Sequence, residues 1–238
     1  MIVEREIEYE DNGKPFQGVI AYDDSNQGPV PGVLISHAWG GQGDFDANKA
    51  RLLAELGYVG MALDVYGKGI RGSSPEENAG LMQPLLEDRP ELQSRMLAAL
   101  KTIQSIPEVD ENRIAAMGYC FGGLCVLDLA RAGGDLRGVI SLHGFFTPPG
   151  NLDSKNIKAK VLALHGYDDP MVPPDAIDQL AAEMTSAGVD WQIHAYGNTR
   201  HAFTNPKAND PERGTVYDAD ADRRSWQTCV NFFAEVLG

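Results

Sequence analysis

Short apolar runs alternate along this chain with stretches in which apolar residues return every three or four positions. Residues 2–9 and 16–22 are two short strands by this pattern, and Asp11-Asn12-Gly13-Lys14 between them is a turn signal, so the chain opens on a hairpin. Asp23 to Pro31 reads as a loop. Val33-Leu34-Ile35-Ser36-His37 is an apolar run of the kind found in a strand covered on both faces. Ala47, Ala50, Leu53 and Ala54 then follow at helical spacing, and Gly57 is placed to end that helix. Tyr58 to Asp64 predicts another strand. A Gly-rich loop over 65–75 leads to two helices, about 76–87 and 90–106, the second with Leu92, Met96, Ala99 or Leu100, and Ile103 on its buried stripe. The run Arg113 to Met117 is a strand that meets a helical pattern from Phe121 to about Arg131. Strands follow at Arg137–Leu142, Lys160–Leu164 and Trp191–Tyr196. A helix opened by Pro174 precedes the last of these, and a helix over about 220–237 closes the chain. Repeated strand–helix–strand order predicts an α/β fold with a mainly parallel central sheet and helices on both faces.

Composition narrows the classes. The chain has 238 residues, 43% of them hydrophobic, which is enough for one sizeable core and predicts one domain over 1–238. A formal net charge of −14 repels nucleic acid and anionic membranes, so neither is an expected partner. The three cysteines, Cys120, Cys125 and Cys229, form no disulfide framework and fit a reducing compartment. No Cys/His ligand cluster predicts a structural metal. The first residues lack the basic start and apolar run of a signal peptide, and no stretch approaches the ~20 apolar residues of a membrane span. The expectation is a soluble cytoplasmic protein. The pattern sets no oligomeric state.

The join between the strand at 113–117 and the following helix carries the candidate chemistry. Gly118-x-Cys120-x-Gly122 is the nucleophile-elbow pattern with cysteine where serine is usual. A strand that turns directly into a helix strains its corner residue, and flanking side chains would collide. Cys120 would then stand at the positive end of a helix, which favours thiolate. The plainer reading is a Gly-rich turn with a small apolar cysteine packed in it. Cys125 and Cys229 fall on helix positions that read as core.

Ligands of an open parallel sheet sit at the carboxyl ends of its strands. His37, His143 and His165 end three strands here, and Cys120 follows a fourth. Asp168-Asp169-Pro170-Met171-Val172-Pro173 follows a fifth, and Gly197 to Phe203, with His201, lies beyond the last. The order nucleophile, acid, histidine is that of the α/β-hydrolase triad. In that reading Cys120 attacks a carbonyl carbon and His201 moves the proton. Asp168 or Asp169 fixes the imidazole, since spacing does not choose between neighbours. The backbone N–H groups of Phe121 and Ala38 would receive the oxyanion. His37, Trp39, Tyr119, His143 and Phe203 adjoin the strand ends and are candidates to line a substrate pocket, with Phe145 and Phe146 beside them. Two rival classes are a non-catalytic doubly wound module binding a phosphate at the elbow and a thiol redox protein. The first lacks dinucleotide or P-loop spacing, and the second lacks a nearby resolving cysteine.

Gly118-Tyr119-Cys120-Phe121-Gly122-Gly123, Asp169-x-x-Val172-Pro173 and His201-Ala202-Phe203 together resemble the dienelactone hydrolase family, from about residue 15 to the C-terminus. The resemblance selects Asp169 over Asp168. It implies an α/β-hydrolase fold, a Cys-His-Asp triad, no cofactor, and hydrolysis of a small-molecule ester or lactone. Two positions depart from the family pattern. Members that open dienelactones carry a glutamate where His37 stands, and an arginine after the catalytic histidine where Asn205 stands. Arg71, in the Gly-rich loop, is either a substitute for that arginine or a solvated loop residue.

Overall fold

The computed structural model describes residues 1–238. Its opening hairpin pairs β1 (Ile2–Asp11) with β2 (Lys14–Asp23) around Asn12 and Gly13, both at positive φ, the turn geometry that matches strand twist. The other long strands are β3 (Val30–Ser36), β4 (Val59–Leu63), β5 (Val109–Tyr119), β6 (Gly138–Leu142), β7 (Lys160–Gly166) and β8 (Trp191–Tyr196). They form one eight-stranded sheet in the order β1-β2-β4-β3-β5-β6-β7-β8. β1 and β2 run antiparallel, and every pairing from β4 to β8 is parallel. This is the mostly parallel α/β architecture expected from the alternation of elements.

Helices cover both faces because the central strands are apolar on both. α1 (Asp44–Glu55) and α6 (Ala219–Leu237) pack Ala50, Leu53, Cys229 and Phe233 against Val33, Ile35, Ala115 and Met117. The opposite face takes α2 (Pro75–Glu87), α3 (Arg89–Gln104), α4 (Phe121–Arg131) and α5 (Pro174–Ala187) over Leu34, Ile114, Ala116 and Val139. Cys125 and Cys229 are core residues, one on each face. Successive strand residues therefore feed alternate cores, as the period of two requires.

Apart from shifts of up to three residues at element ends, with β3 starting at Val30 inside the stretch read as a loop, the structure differs from the pattern in three places. β5 begins at Val109, four residues before the apolar run, because Val109 and Asp110 pair with Val30 and Pro31 ahead of a register shift at Pro31/Gly32. Glu111 and Asn112 are exposed within it, which breaks the apolar signal. A two-residue pair, β9 (Asn209–Asp210) with β10 (Thr215–Val216), follows the candidate histidine. A 3-10 turn over Ser154–Asn156 also had no sequence signal.

Candidate active site

The elbow is built as its glycines require. Cys120 caps α4 with φ 54° and ψ −116°, a conformation rare for a residue with a Cβ. A Cβ on Gly118 would run into the Gly122 carbonyl, and one on Gly122 into the Ser36 and His37 carbonyls. Helix α4 can approach the ends of β5 and β3 this closely only without those side chains. Cys120 is half-buried, and its thiol stands at the N-terminus of α4.

His201 and Asp169 come to the same edge from different loops. Asp169 follows β7, where its Oδ1 accepts from the Met171 N–H at 2.8 Å and its Oδ2 accepts from His201 Nδ1 at 2.7 Å. Both residues are 2% exposed. Asp168 is exposed and makes no hydrogen bond to the ring, so Asp169 is the carboxylate at the histidine. His201 is held by its backbone, which bonds to Gly214 and Val216 beside β10. Its Nε2 is buried without a hydrogen-bond partner. Burial lowers the His201 pKa, but the charge of the Cys120 thiolate and the Asp169 bond outweigh burial and leave it raised.

The loop after β3 presents Ala38, and its backbone is pinned. The Ala38 carbonyl accepts from His37 Nδ1 at 2.6 Å and from the Gly41 N–H at 3.2 Å. The N–H groups of Ala38 and Phe121 find no acceptor among the loop and cap hydrogen bonds.

The side chains proposed for the pocket fall in different places. His37 is fully buried, donates from Nδ1 to Ala38 and accepts at Nε2 from the Val65 N–H at 3.1 Å. Burial pushes its pKa down to about 4, against the Ala38 bond and the charge of Asp64, so it is neutral and brings no positive charge to the thiol. Tyr119 points to the α1/α6 face, away from the cysteine side, with Phe45 edge-on to it. Phe203 is buried between His143 and Tyr196. His143 lies under the elbow rather than on an open wall. Of the five, only Trp39 is half-exposed. Phe145 is also half-exposed and stacks on the His201 ring, with centroids 5.8 Å apart.

Arg71 is not a solvated loop residue. Its guanidinium binds the Gln42 carbonyl, Gln42 Oε1 at 2.7 Å and the Ile70 carbonyl at 2.6 Å, and approaches buried Asp64 at 3.4 Å. These bonds latch the 65–75 loop to the loop after β3. Asn205 is exposed, and its Oδ1 accepts from the Lys207 N–H. A hollow of about 480 Å³ lined by residues 150–155, Glu183, Ser186 and Ala187 contains none of these residues. Thr204, which hydrogen-bonds His143 at 2.9 Å, had no sequence signal beyond its nearness to His201.

The fold is shared with known proteins. A solved structure titled m3DLH superposes with a TM-score of 0.96 at 37% identity, covering 100% of this chain and 99% of that one. A dienelactone hydrolase-like promiscuous phosphotriesterase, P91, from metagenomic libraries gives 0.94 at 34% identity with the same coverage. A protein of Aquifex aeolicus, named as a candidate carboxymethylenebutenolidase, is 27% identical over 97% of this chain and 98% of its own. The model of the dienelactone hydrolase family matches residues 16–237. With the elbow, the parallel sheet and this match over nearly its whole length, the chain belongs to the dienelactone hydrolase family and is a carboxylic-ester or lactone hydrolase.

Proposed function

We propose that the chain works through a Cys120–His201–Asp169 triad and a thioester acyl-enzyme. One observation carries the reading. A cysteine in a strained corner at a helix N-terminus stands near enough to a buried His–Asp pair for its charge to raise the histidine pKa. The thiolate attacks the carbonyl carbon, and the π electrons move to oxygen. The Phe121 and Ala38 N–H groups receive that oxyanion. On collapse the C–O bond breaks, and His201 gives its Nε2 proton to the leaving alkoxide. In a lactone that alkoxide stays tethered to the acyl group. Water then attacks the thioester, His201 takes its proton, and sulfur departs as thiolate. Asp169 holds the other ring proton on Nδ1 throughout. This route needs no cofactor. A free thiol nucleophile suits a reducing compartment, the cytoplasm, and no helix is long and apolar enough to cross a membrane.

The substrate is a small neutral ester or lactone. Arg71 is committed to Gln42, and Asn205 carries no charge, so neither offers a site for a substrate carboxylate. A second reading is favoured by the likeness to P91, which is described as a promiscuous phosphotriesterase. The same thiolate attacking phosphorus would place the phosphoryl oxygen in the same donor pair.

Turnover of p-nitrophenyl acetate and of a p-nitrophenyl dialkyl phosphate tests both readings. Cys120→Ala and His201→Ala should each lower kcat by about a thousandfold or more, with the double mutant scarcely worse. Asp169→Asn should be severe and Asp168→Asn mild, and iodoacetamide should block both substrates. Ester turnover that survives Cys120→Ala would refute the triad.

A further inference from the structure

His143 lies between the nucleophile's backbone and the loop that carries His201. It follows β6 with φ 38° and is 2% exposed. Its Nδ1 faces the Cys120 N–H at 3.1 Å, and its Nε2 lies 2.9 Å from Thr204 Oγ1. A backbone N–H only donates, so Nδ1 must hold the lone pair. The single ring proton is then on Nε2 and is donated to Thr204. The same ring meets His201 edge-on, with centroids 5.1 Å apart. Thr204 is itself buried, three residues past His201.

We propose that His143 is a positioning residue for the Cys120–His201 pair, with Thr204 fixing its tautomer. The neutral, Nε2-protonated ring ties the elbow amide to the histidine loop and so sets the separation of nucleophile and base. The kinetic consequence rests on the triad reading above; the tautomer does not. A proton on Nδ1 would set two donors head to head at the Cys120 amide. A doubly protonated ring would do the same and add charge beside His201. Tyr119 and Phe203 pack against the ring, no carboxylate hydrogen-bonds to it, and the titratable neighbours are His201 and His165. Burial and the charge of His201 both hold it neutral. The Cys120 N–H also reaches the Leu142 carbonyl at 3.0 Å, so loosening His143 leaves no orphaned amide and costs orientation, not folding.

NMR of isotope-labelled histidine nitrogens reads the tautomer directly. Wild-type His143 should carry its proton on Nε2 alone, unchanged between about pH 5 and about pH 9. A proton on Nδ1, a mixture of tautomers, or titration in that range would overturn the proposal. Thr204→Val keeps the shape and removes the acceptor. It should lower kcat for p-nitrophenyl acetate about tenfold, the worth of one hydrogen bond, with KM changed less than about twofold. Thr204→Ser should restore most of that loss. An unchanged kcat in the valine variant, or equal loss in both variants, refutes the role. If wild-type protein hydrolysed no ester, the triad reading would fall alone. The alkylation rate of Cys120 by iodoacetamide should still change several-fold in Thr204→Val and return in Thr204→Ser, and a rate indifferent to both would refute the positioning role.

Discussion

Cys120 carries its strain in one backbone dihedral. A φ of 54° costs a residue with a Cβ about 1–3 kcal/mol, and glycine nearly nothing. Cys120→Gly should therefore be more stable than Cys120→Ala by about 1 kcal/mol, although both lose the thiol. Equal denaturant midpoints would show that the corner is not strained. The same thiol sustains the raised pKa of His201. Once Cys120→Ala removes it, burial is less opposed and the His201 pKa should fall, as followed by NMR of its ring. A His201 pKa indifferent to the thiol would mean that the two groups do not titrate as a pair.

Helix α4 does more than present the nucleophile. About two turns beyond Cys120 it carries Asp128, and at its end Arg131, both fully buried. Arg89 of α3 grips Asp128 with two bonds of 2.6 Å and also donates to the Thr147 carbonyl at 3.2 Å. Arg131 bonds Glu183 of α5 and donates to the Phe146 carbonyl at 3.0 Å. Three helices thus clamp the loop whose Phe145 stacks on His201. Removing one partner of such a network leaves a buried charge unpaired. Asp128→Ala should destabilise the fold by about 3–5 kcal/mol in urea unfolding. A loss below about 1 kcal/mol would mean that Arg89 finds water or another partner.

At the scale of the molecule, buried titratable groups set the response to pH. Burial holds His37, His143 and His165 below their ordinary pKa. The unfolded chain therefore binds more protons below about pH 6.5, and stability falls as pH drops from there through the folded values. Asp46 has the opposite sign. Burial pushes it up to about 7, against its bond from the Gly43 N–H. The folded state then holds a proton that the unfolded state has released, and this contribution is lost as pH rises through about 7. Asp46→Asn keeps an oxygen for Gly43 and removes the charge. It should raise the urea midpoint more at about pH 8 than at about pH 5, by a difference worth on the order of a few kcal/mol. Equal effects at both pH values would mean that Asp46 titrates normally.

The order of elements and the elbow were legible because each is written locally. Apolar runs fix strands, helical spacing fixes helices, and Gly118 and Gly122 mark a corner that tolerates no Cβ. The chain order of Cys120, Asp169 and His201 places each after a strand end, and a parallel sheet brings such ends to one edge. Ring and guanidinium orientation was not legible, since it depends on partners far away in sequence. His37 read as a pocket residue near the thiol, yet the Val65 amide and the Ala38 carbonyl consume both of its nitrogens. Arg71 read as free until Gln42 supplied its acceptors, and Tyr119 faces the far core because strand alternation sends it there. Asp168 and Asp169 are equivalent in spacing; the turn after β7 buries one and exposes the other. The sequence by itself determined which groups could meet, through local sterics and periodicity. Only the tertiary structure decided which atoms face one another, because a hydrogen bond depends on direction and distance, and neither is carried by a residue's place in the chain.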